Sequence, residues 1–293
     1  IFFQNFRQLD KAEEYLLDAG RRLENLVENA PNNPTLRLDL AKTAHALGTN
    51  FRATGDLQNA IHWTRRAIKL EESVLVEMNR IPIVRHKLCQ EYRQLGELLL
   101  QEKNYGEAHR HLERAVEIQR GVVKDAPENV EYHRHLAIAL HRLADWYREK
   151  QMPDAMLPFL EESIAIRVRL GDEQPLWFSP QVELPPAYRE LGLALEKLNR
   201  HDDALAGYEQ SLVICERLMP DHRTDLNLRE EYARCLESKM RWLISAQQGQ
   251  EAARTAQRAL EVRKETLQIV PNDENVKSAL ADLQREVSGM TGG

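Results

Sequence analysis

One interval governs this sequence: side chains of like size recur every 48 residues. Leu47-Gly48, Leu95-Gly96, Leu143-Ala144 and Leu191-Gly192 follow one another at that spacing, with Lys239-Met240 as a degenerate fifth copy. A second column, Ala19, Ala67, Ala115, Ser163, Ser211 and Ala259, holds only small residues. A third runs through Ala12, Ala60, Ala108, Ala204 and Ala252, with Ala155 displaced by one. Larger side chains form two further columns, Leu40, Leu88, Leu136, Leu184, Tyr232, Leu280 and Phe3, Phe51, Leu99, Tyr147, Leu195, Leu243. A fixed period of this kind means a stack of similar units, none of which can bury its apolar face alone.

Within a unit the spacing is helical. Leu40, Ala44, Leu47, Gly48 and Phe51 fall on one stripe of a 3.6-residue helix, the A helix. Thr54-Gly55-Asp56 interrupts it, with Asp56 placed to cap a second helix, B, that carries Ala60, Ile61, Thr64, Ala67 and Ile68. Proline and asparagine at Ala30-Pro31-Asn32-Asn33-Pro34, Ile81-Pro82, Ala126-Pro127-Glu128-Asn129 and Pro271-Asn272 mark the ends of units. Glycine and alanine let helices approach to the lower end of the usual ~8–10 Å, and A is expected to pack on its own B and on the next A. Thirteen glycines and twelve prolines are too few turn residues for an all-β fold.

These residues resemble the tetratricopeptide (TPR) consensus: Leu47-Gly48 with Phe51, then Ala60 and Ala67, and again Leu95-Gly96, Ala108, Ala115 and Pro127, and Leu191-Gly192, Ala204, Tyr208 and Pro220. The period is longer than the family's ~34 residues, so helices of about 20 residues, some 30 Å each, are expected. The phrasing of Ala115-Val116-Glu117-Ile118-Gln119-Arg120 resembles the kinesin-light-chain-like branch, and arrays appended to bacterial serine/threonine kinases of the planctomycete type. The resemblance implies an all-α, right-handed α-solenoid of antiparallel helix pairs over residues 1–293. Its expected parts are a partial repeat at 1–33, repeats at 34–81, 82–129, 130–180, 181–222 and 223–271, and a capping helix and tail at 272–293. Phe3 in a repeat column places residue 1 inside an A helix, so the chain reads as a fragment with a further domain upstream.

No phosphate loop, kinase loop, nucleophile elbow or H-E-x-x-H zinc motif occurs, so the chain is expected to be no enzyme and to hold no cofactor. His109 with His111 and His133 with His135 sit two apart on helices, pointing about 200° from each other, and neither pair chelates a metal without help from elsewhere. A net charge of -6 gives no reason to expect nucleic acid, and no apolar run inserts in a membrane. Tethering would have to come from upstream sequence. Cys89, Cys215 and Cys235 form neither a metal knuckle nor a disulfide framework and read as reduced core thiols in a cytoplasmic setting. Trp63, Trp146 and Trp242 lie on helical stripes and read as packing. Trp177 and Phe178, in a proline-rich loop expected to replace the first turns of the fourth A helix, either cover the end so exposed or anchor a partner.

In TPR arrays, A-helix residues facing away from B line the binding groove. Carried over relative to the glycine column, they give Lys42, His45, Thr49 and Arg52; Gln90, Arg93, Glu97 and Leu100; Ile138, His141, Asp145 and Arg148; Pro186, Arg189, Leu193 and Glu196; Arg234, Glu237, Arg241 and Ile244. Cations outnumber anions there, inside a chain that is net acidic. Such a face suits an extended acidic or phosphorylated peptide, unless its arginines are spent on Glu97, Asp145 and Glu196. The expected function is a protein- or peptide-binding scaffold, the interaction arm of a bacterial signalling protein. The alternatives are the regulatory module of an upstream serine/threonine kinase and a self-assembling structural solenoid.

Overall fold

The computed structural model describes residues 2–78, 81–174 and 178–291. Every regular element among them is helical, and the chain divides into two compact units, Ile1–Lys150 and Gln151–Gly293. The first unit holds α1 (Phe2–Asn29), α2 (Pro34–Thr54), α3 (Leu57–Met78), α4 (Pro82–Gln101), α5 (Tyr105–Asp125) and α6 (Val130–Glu149). The second holds α7 (Pro153–Glu173), α8 (Phe178–Val182), α9 (Leu184–Lys197), α10 (His201–Leu218), α11 (Leu226–Ser245), α12 (Gly249–Ile269) and α13 (Glu274–Thr291).

The pairing follows the columns. α2 packs on α3, α4 on α5, α9 on α10 and α11 on α12, and each B helix also packs on the A helix that follows. The expected A-to-A contact is present between α4 and α6 and between α9 and α11, as the smaller interface. The alanines at 60, 67, 108, 115, 204, 252 and 259 are fully buried, as are Ser163 and Ser211. In the third B helix Met156 occupies the buried place and Ala155 is only half-buried, so the register is unbroken and the expected displacement is absent. Asn33, Asp56, Asn104, Asn129 and Asp225 each accept hydrogen bonds from the first amides of the following helix. Pro34, Pro82 and Pro153 do more than stop a helix: each is the first residue of the next, where a missing N–H costs nothing.

Two elements depart from expectation. Residues 2–29 form one uninterrupted helix, with no A-to-B turn one period before Gly55. Phe6-Arg7-Gln8 supplies neither a glycine nor a capping side chain, and a continuous helix keeps every backbone hydrogen bond. The fourth A helix starts in register at 178 but is split into α8 and α9 at Glu183, where a replacing loop was expected. Pro185 and Pro186 remove two amides and their rings crowd the carbonyls a turn earlier, which breaks the helix.

The A-to-B turns share a feature that no side chain announces. Gly55, Lys103, Gln151, Asn199 and Gln247, again 48 apart, all have φ between 55° and 83°. The next amides close the turn: Asp56 N–H reaches Phe51 O at 2.9 Å, Asn104 N–H reaches Leu99 O at 2.8 Å, and Gln248 N–H reaches Leu243 O at 2.8 Å. This is the paired bond pattern of a left-handed helix C-terminus, and only one of its five copies is glycine. A side chain in that conformation costs about 1 kcal/mol. Replacing Lys103, Gln151 and Gln247 together by glycine is therefore expected to raise stability by about 1–2 kcal/mol, after the extra entropy of glycine in the unfolded chain. Thermal unfolding checks this, and a lowered midpoint would contradict it.

Candidate functional site

In the first unit the solvent face of α2, α4 and α6 carries a ladder of shared charges. Glu97 on α4 accepts from Arg93 at 2.5 Å, lies 3.3 Å from Arg142 Nε on α6, and is reached from α2 by Arg52 at 3.5 Å. Asp145 pairs with Arg142 and with Arg148, each at 2.7 Å. Arg148 also lies 3.9 Å from Glu149. Beside this ladder Leu100, Gln101, Arg142, Asp145, Arg148 and Glu149 surround a recess of about 380 Å³. Glu97 and Asp145 each serve more than one guanidinium, because residues three or four apart on one helix and about one period apart on the next converge on the same spot.

The other expected groove residues of this unit are placed less favourably. Lys42 is exposed and pairs with Asp39 on its own helix at 2.7 Å. His45 stands 2.5 Å from the buried Glu91, whose hydrogen bond holds the imidazole above its ordinary pKa. His141 is buried rather than presented to a ligand.

In the second unit each of the expected arginines also meets a carboxylate, and Glu230 and Glu237 are shared with Arg263. Arg189 on α9 holds Glu231 of α11 through both nitrogens, at 2.5 and 3.3 Å. Arg241 on α11 holds Glu286 of α13 at 2.8 Å twice over, and Arg234 holds Glu230 at 2.8 Å. Glu237 is engaged by the buried Arg263 at 2.8 Å. Glu196, expected to take an arginine, instead accepts the hydroxyl of Tyr208 at 2.8 Å. Glu231 and Glu286 were not foreseen as partners. Each lies 42 or 45 residues along, so only knowledge of which helix faces which could have found them.

The break at Glu183 has its own consequence in this unit. Where α8 and α9 part, Val168 and Asp172 of α7, Gln181, Tyr188, and Gln210 and Arg217 of α10 line a recess of about 760 Å³. Trp177 lies outside the described residues, and of Phe178 only the backbone, as the first residue of α8, is described. The remaining tryptophans pack as expected: Trp242 is buried, Trp63 borders the core of the first unit, and Trp146 donates to Tyr105 O at 2.8 Å. The three cysteines are free and buried, and loss of hydration pushes the thiols of Cys89 and Cys235 up to about 12. No helix among the described residues is long and apolar enough to cross a membrane.

Residues 187–224, which take in most of α9, all of α10 and the turn after them, match the tetratricopeptide repeat family. No curated protein matches the chain in sequence. Among solved structures, the apo form of RapI is similar with a TM-score of 0.63 at 13% identity, over 92% of this chain and 67% of that one. BtubC (BKLC) from P. vanneervenii gives 0.59 at 17% identity, over 87% and 91%. A kinesin-light-chain-type protein of Podospora anserina with nearly identical TPR-like repeats gives 0.56 at 19% identity, over 81% and 98%. At such identities the likeness is one of fold, and tetratricopeptide repeats in general bind proteins and peptides. The chain is thus an all-α array of paired, TPR-like helices that matches tetratricopeptide solenoid structures, with kinesin-light-chain-like arrays among them.

Proposed function

We propose that the chain is a non-catalytic scaffold and that the α2/α4/α6 face of its first unit docks an extended acidic or phosphorylated peptide. One observation carries this reading. Arg52, Arg93, Arg142 and Arg148 converge on Glu97 and Asp145 from three helices, so four guanidinium groups are gathered on one face beside an open recess. A carboxylate or phosphoryl group entering there gains charge-assisted hydrogen bonds without stripping either resident acid of its last partner. In the second unit Arg189 and Arg241 are instead held by Glu231 and Glu286 of the neighbouring helices, and Arg234 by Glu230 of its own.

The expected result with an arrayed library of unstructured peptides, with and without phosphoserine, is retention of an acidic subset. Arg93→Glu with Arg148→Glu weakens that subset at least tenfold, roughly 1.4 kcal/mol or more, while Arg189→Glu with Arg241→Glu leaves it within about twofold. Equal retention by the first double variant would refute the reading.

The finer reading makes the array the interaction arm of a bacterial signalling protein with a serine/threonine kinase domain upstream. It is supported by the phrasing of residues 115–120, and the coding sequence preceding Ile1 tests it: kinase motifs there support it, and another domain type removes it.

A further inference from the structure

Behind the charged ladder, α4 and α6 face each other with two pairs of ligand-type side chains. His86 and Gln90 lie one turn apart on α4, and Glu131 and His135 lie one turn apart on α6. The rings of His86 and His135 are edge to face, 4.5 Å between centroids and 75° between planes. Their Nε2 atoms converge on one point, the Gln90 amide nitrogen, at 3.1 and 3.5 Å. Glu131 Oε2 lies 3.9 Å from His135 Nε2.

The proton positions follow from a single backbone carbonyl. Tyr132 O can only accept, so the Gln119 amide nitrogen that meets it at 2.8 Å donates, and Gln119 Oε1 is turned toward His86 Nδ1 at 3.0 Å. His86 therefore carries its proton on Nδ1 and presents a lone pair at Nε2. Gln90 then donates to that lone pair and to the one on His135 Nε2. Two neutral imidazoles thus aim bare nitrogens at one spot, one of them oriented by an N–H to carbonyl bond behind it, which is how metal-ligating histidines are held. His135 is poorly satisfied as it stands: its one Nε2 bond is long, and its Nδ1 is buried with no hydrogen-bond partner.

We propose that His86, Gln90, Glu131 and His135 form a binding site for one divalent transition metal ion of the zinc, cobalt and nickel class. The two imidazoles bind through Nε2, the Glu131 carboxylate closes in as third ligand by a side-chain rotation, and Gln90 turns its amide to offer oxygen or gives way to water. Imidazole nitrogen selects this class over magnesium or calcium, and ligands at i, i+4 on facing helices are a geometry that holds such ions. The charges that face the site are Lys87 and Arg93 on α4 and Glu131 and Arg134 on α6. Arg93 is paired with Glu97, and Arg134 lies 3.7 Å from Glu131, which limits but does not remove the repulsion of a dication. Affinity in the micromolar range is the expectation. The two histidine pairs singled out along the sequence do not make this site: the partner of His135 is His86, two helices away.

Cobalt(II) chloride added to the chelator-treated chain tests this directly. Visible absorption of a four-coordinate nitrogen-containing site should saturate at one equivalent and be displaced by zinc. Zinc at about a hundredfold excess over its Kd should raise the unfolding midpoint by roughly 5 °C. His135→Ala and His86→Ala each weaken cobalt binding at least tenfold, Glu131→Gln weakens it severalfold, and His133→Ala, whose Nε2 meets Pro127 O at 2.7 Å, leaves it unchanged. If His86→Ala fails to fold, His135→Ala and the zinc shift of the unaltered chain still decide. Absence of cobalt absorption, no thermal shift with zinc, or binding unchanged in His135→Ala would each overturn the proposal.

Discussion

Gly192→Ala is expected to lower the stability of the second unit by about 2 kcal/mol, seen as a midpoint about 5 °C lower in thermal unfolding. A methyl group built there would stand 2.6 and 2.8 Å from the ring of Tyr208 and 3.0 Å from Ala204 O. Tyr208 cannot yield, because it is fully buried and its hydroxyl is tied to Glu196 at 2.8 Å, and the carbonyl belongs to the helix itself. The clash outweighs the roughly 1 kcal/mol that alanine gains over glycine in a helix. The same substitution should grow milder along the column. At Gly96 it meets the side chain of Leu112 at 2.6 Å, and at Gly48 one side-chain atom, Thr64 Oγ1, stands at 2.8 Å while the backbone stays 3.4 Å away. Gly249→Ala, with nothing within 4 Å, should be neutral or slightly stabilising. Equal losses at all four positions would contradict close helix approach as the reason for the glycine column.

The second large effect is a dependence on pH. Glu71 on α3 is buried, its Oε2 has no hydrogen-bond partner, and loss of hydration, with the nearby charge of Glu91, pushes its carboxyl up to about 8. Between the unfolded value near 4.5 and about 8, the folded chain holds a proton that the unfolded chain releases. Stability contributed by this group is complete below pH 4.5 and is lost as pH rises toward 8, at about 1.4 kcal/mol per unit. From pH 5 to 8 the difference amounts to about 3–4 kcal/mol. Glu71→Gln, which keeps the shape and cannot ionise, should be more stable than the parent at pH 8 by about that amount relative to their difference at pH 5. Denaturant unfolding at both values measures it, and parallel curves for the two proteins would exclude a buried neutral Glu71.

Glu71 also shows where reading the chain runs out. The columns of leucine, alanine and glycine were legible because packing demands like sizes at like places, and the buried Leu47, Ala60, Gly96 and Ala108 follow from them. Glu71 belongs to a column as well, with Gln119, Arg167, Cys215 and Arg263, every member buried, but its residue types have nothing in common. Three of them are satisfied locally and differently, Gln119 by His86 and Tyr132, Arg167 by Glu183, Arg263 by Glu230 and Glu237, while Glu71 keeps an oxygen without a partner. A search by size or polarity passes over such a column. The groove was legible as a list of positions, whereas whether an arginine there meets a carboxylate shared with others, as Arg52 does at Glu97, or is held through two bonds, as Arg189 is by Glu231, depends on neighbours about a period away. The split of the fourth A helix was half legible: Pro185-Pro186 announced a disturbance, but a short helix in register, rather than a loop, is what the backbone makes of residues 178–182.

The left-handed residue that closes each A helix has an implication for how such a chain is built. Glycine, lysine, glutamine and asparagine all serve at the same joint, so the joint is specified by main-chain bonding and makes almost no demand on the letters written there. A copied stretch of the gene one period long would carry a working elbow at its seam without redesign. Lengthening by duplication is open to an architecture of this type, and drift at the elbows afterwards leaves the angle between its rods untouched.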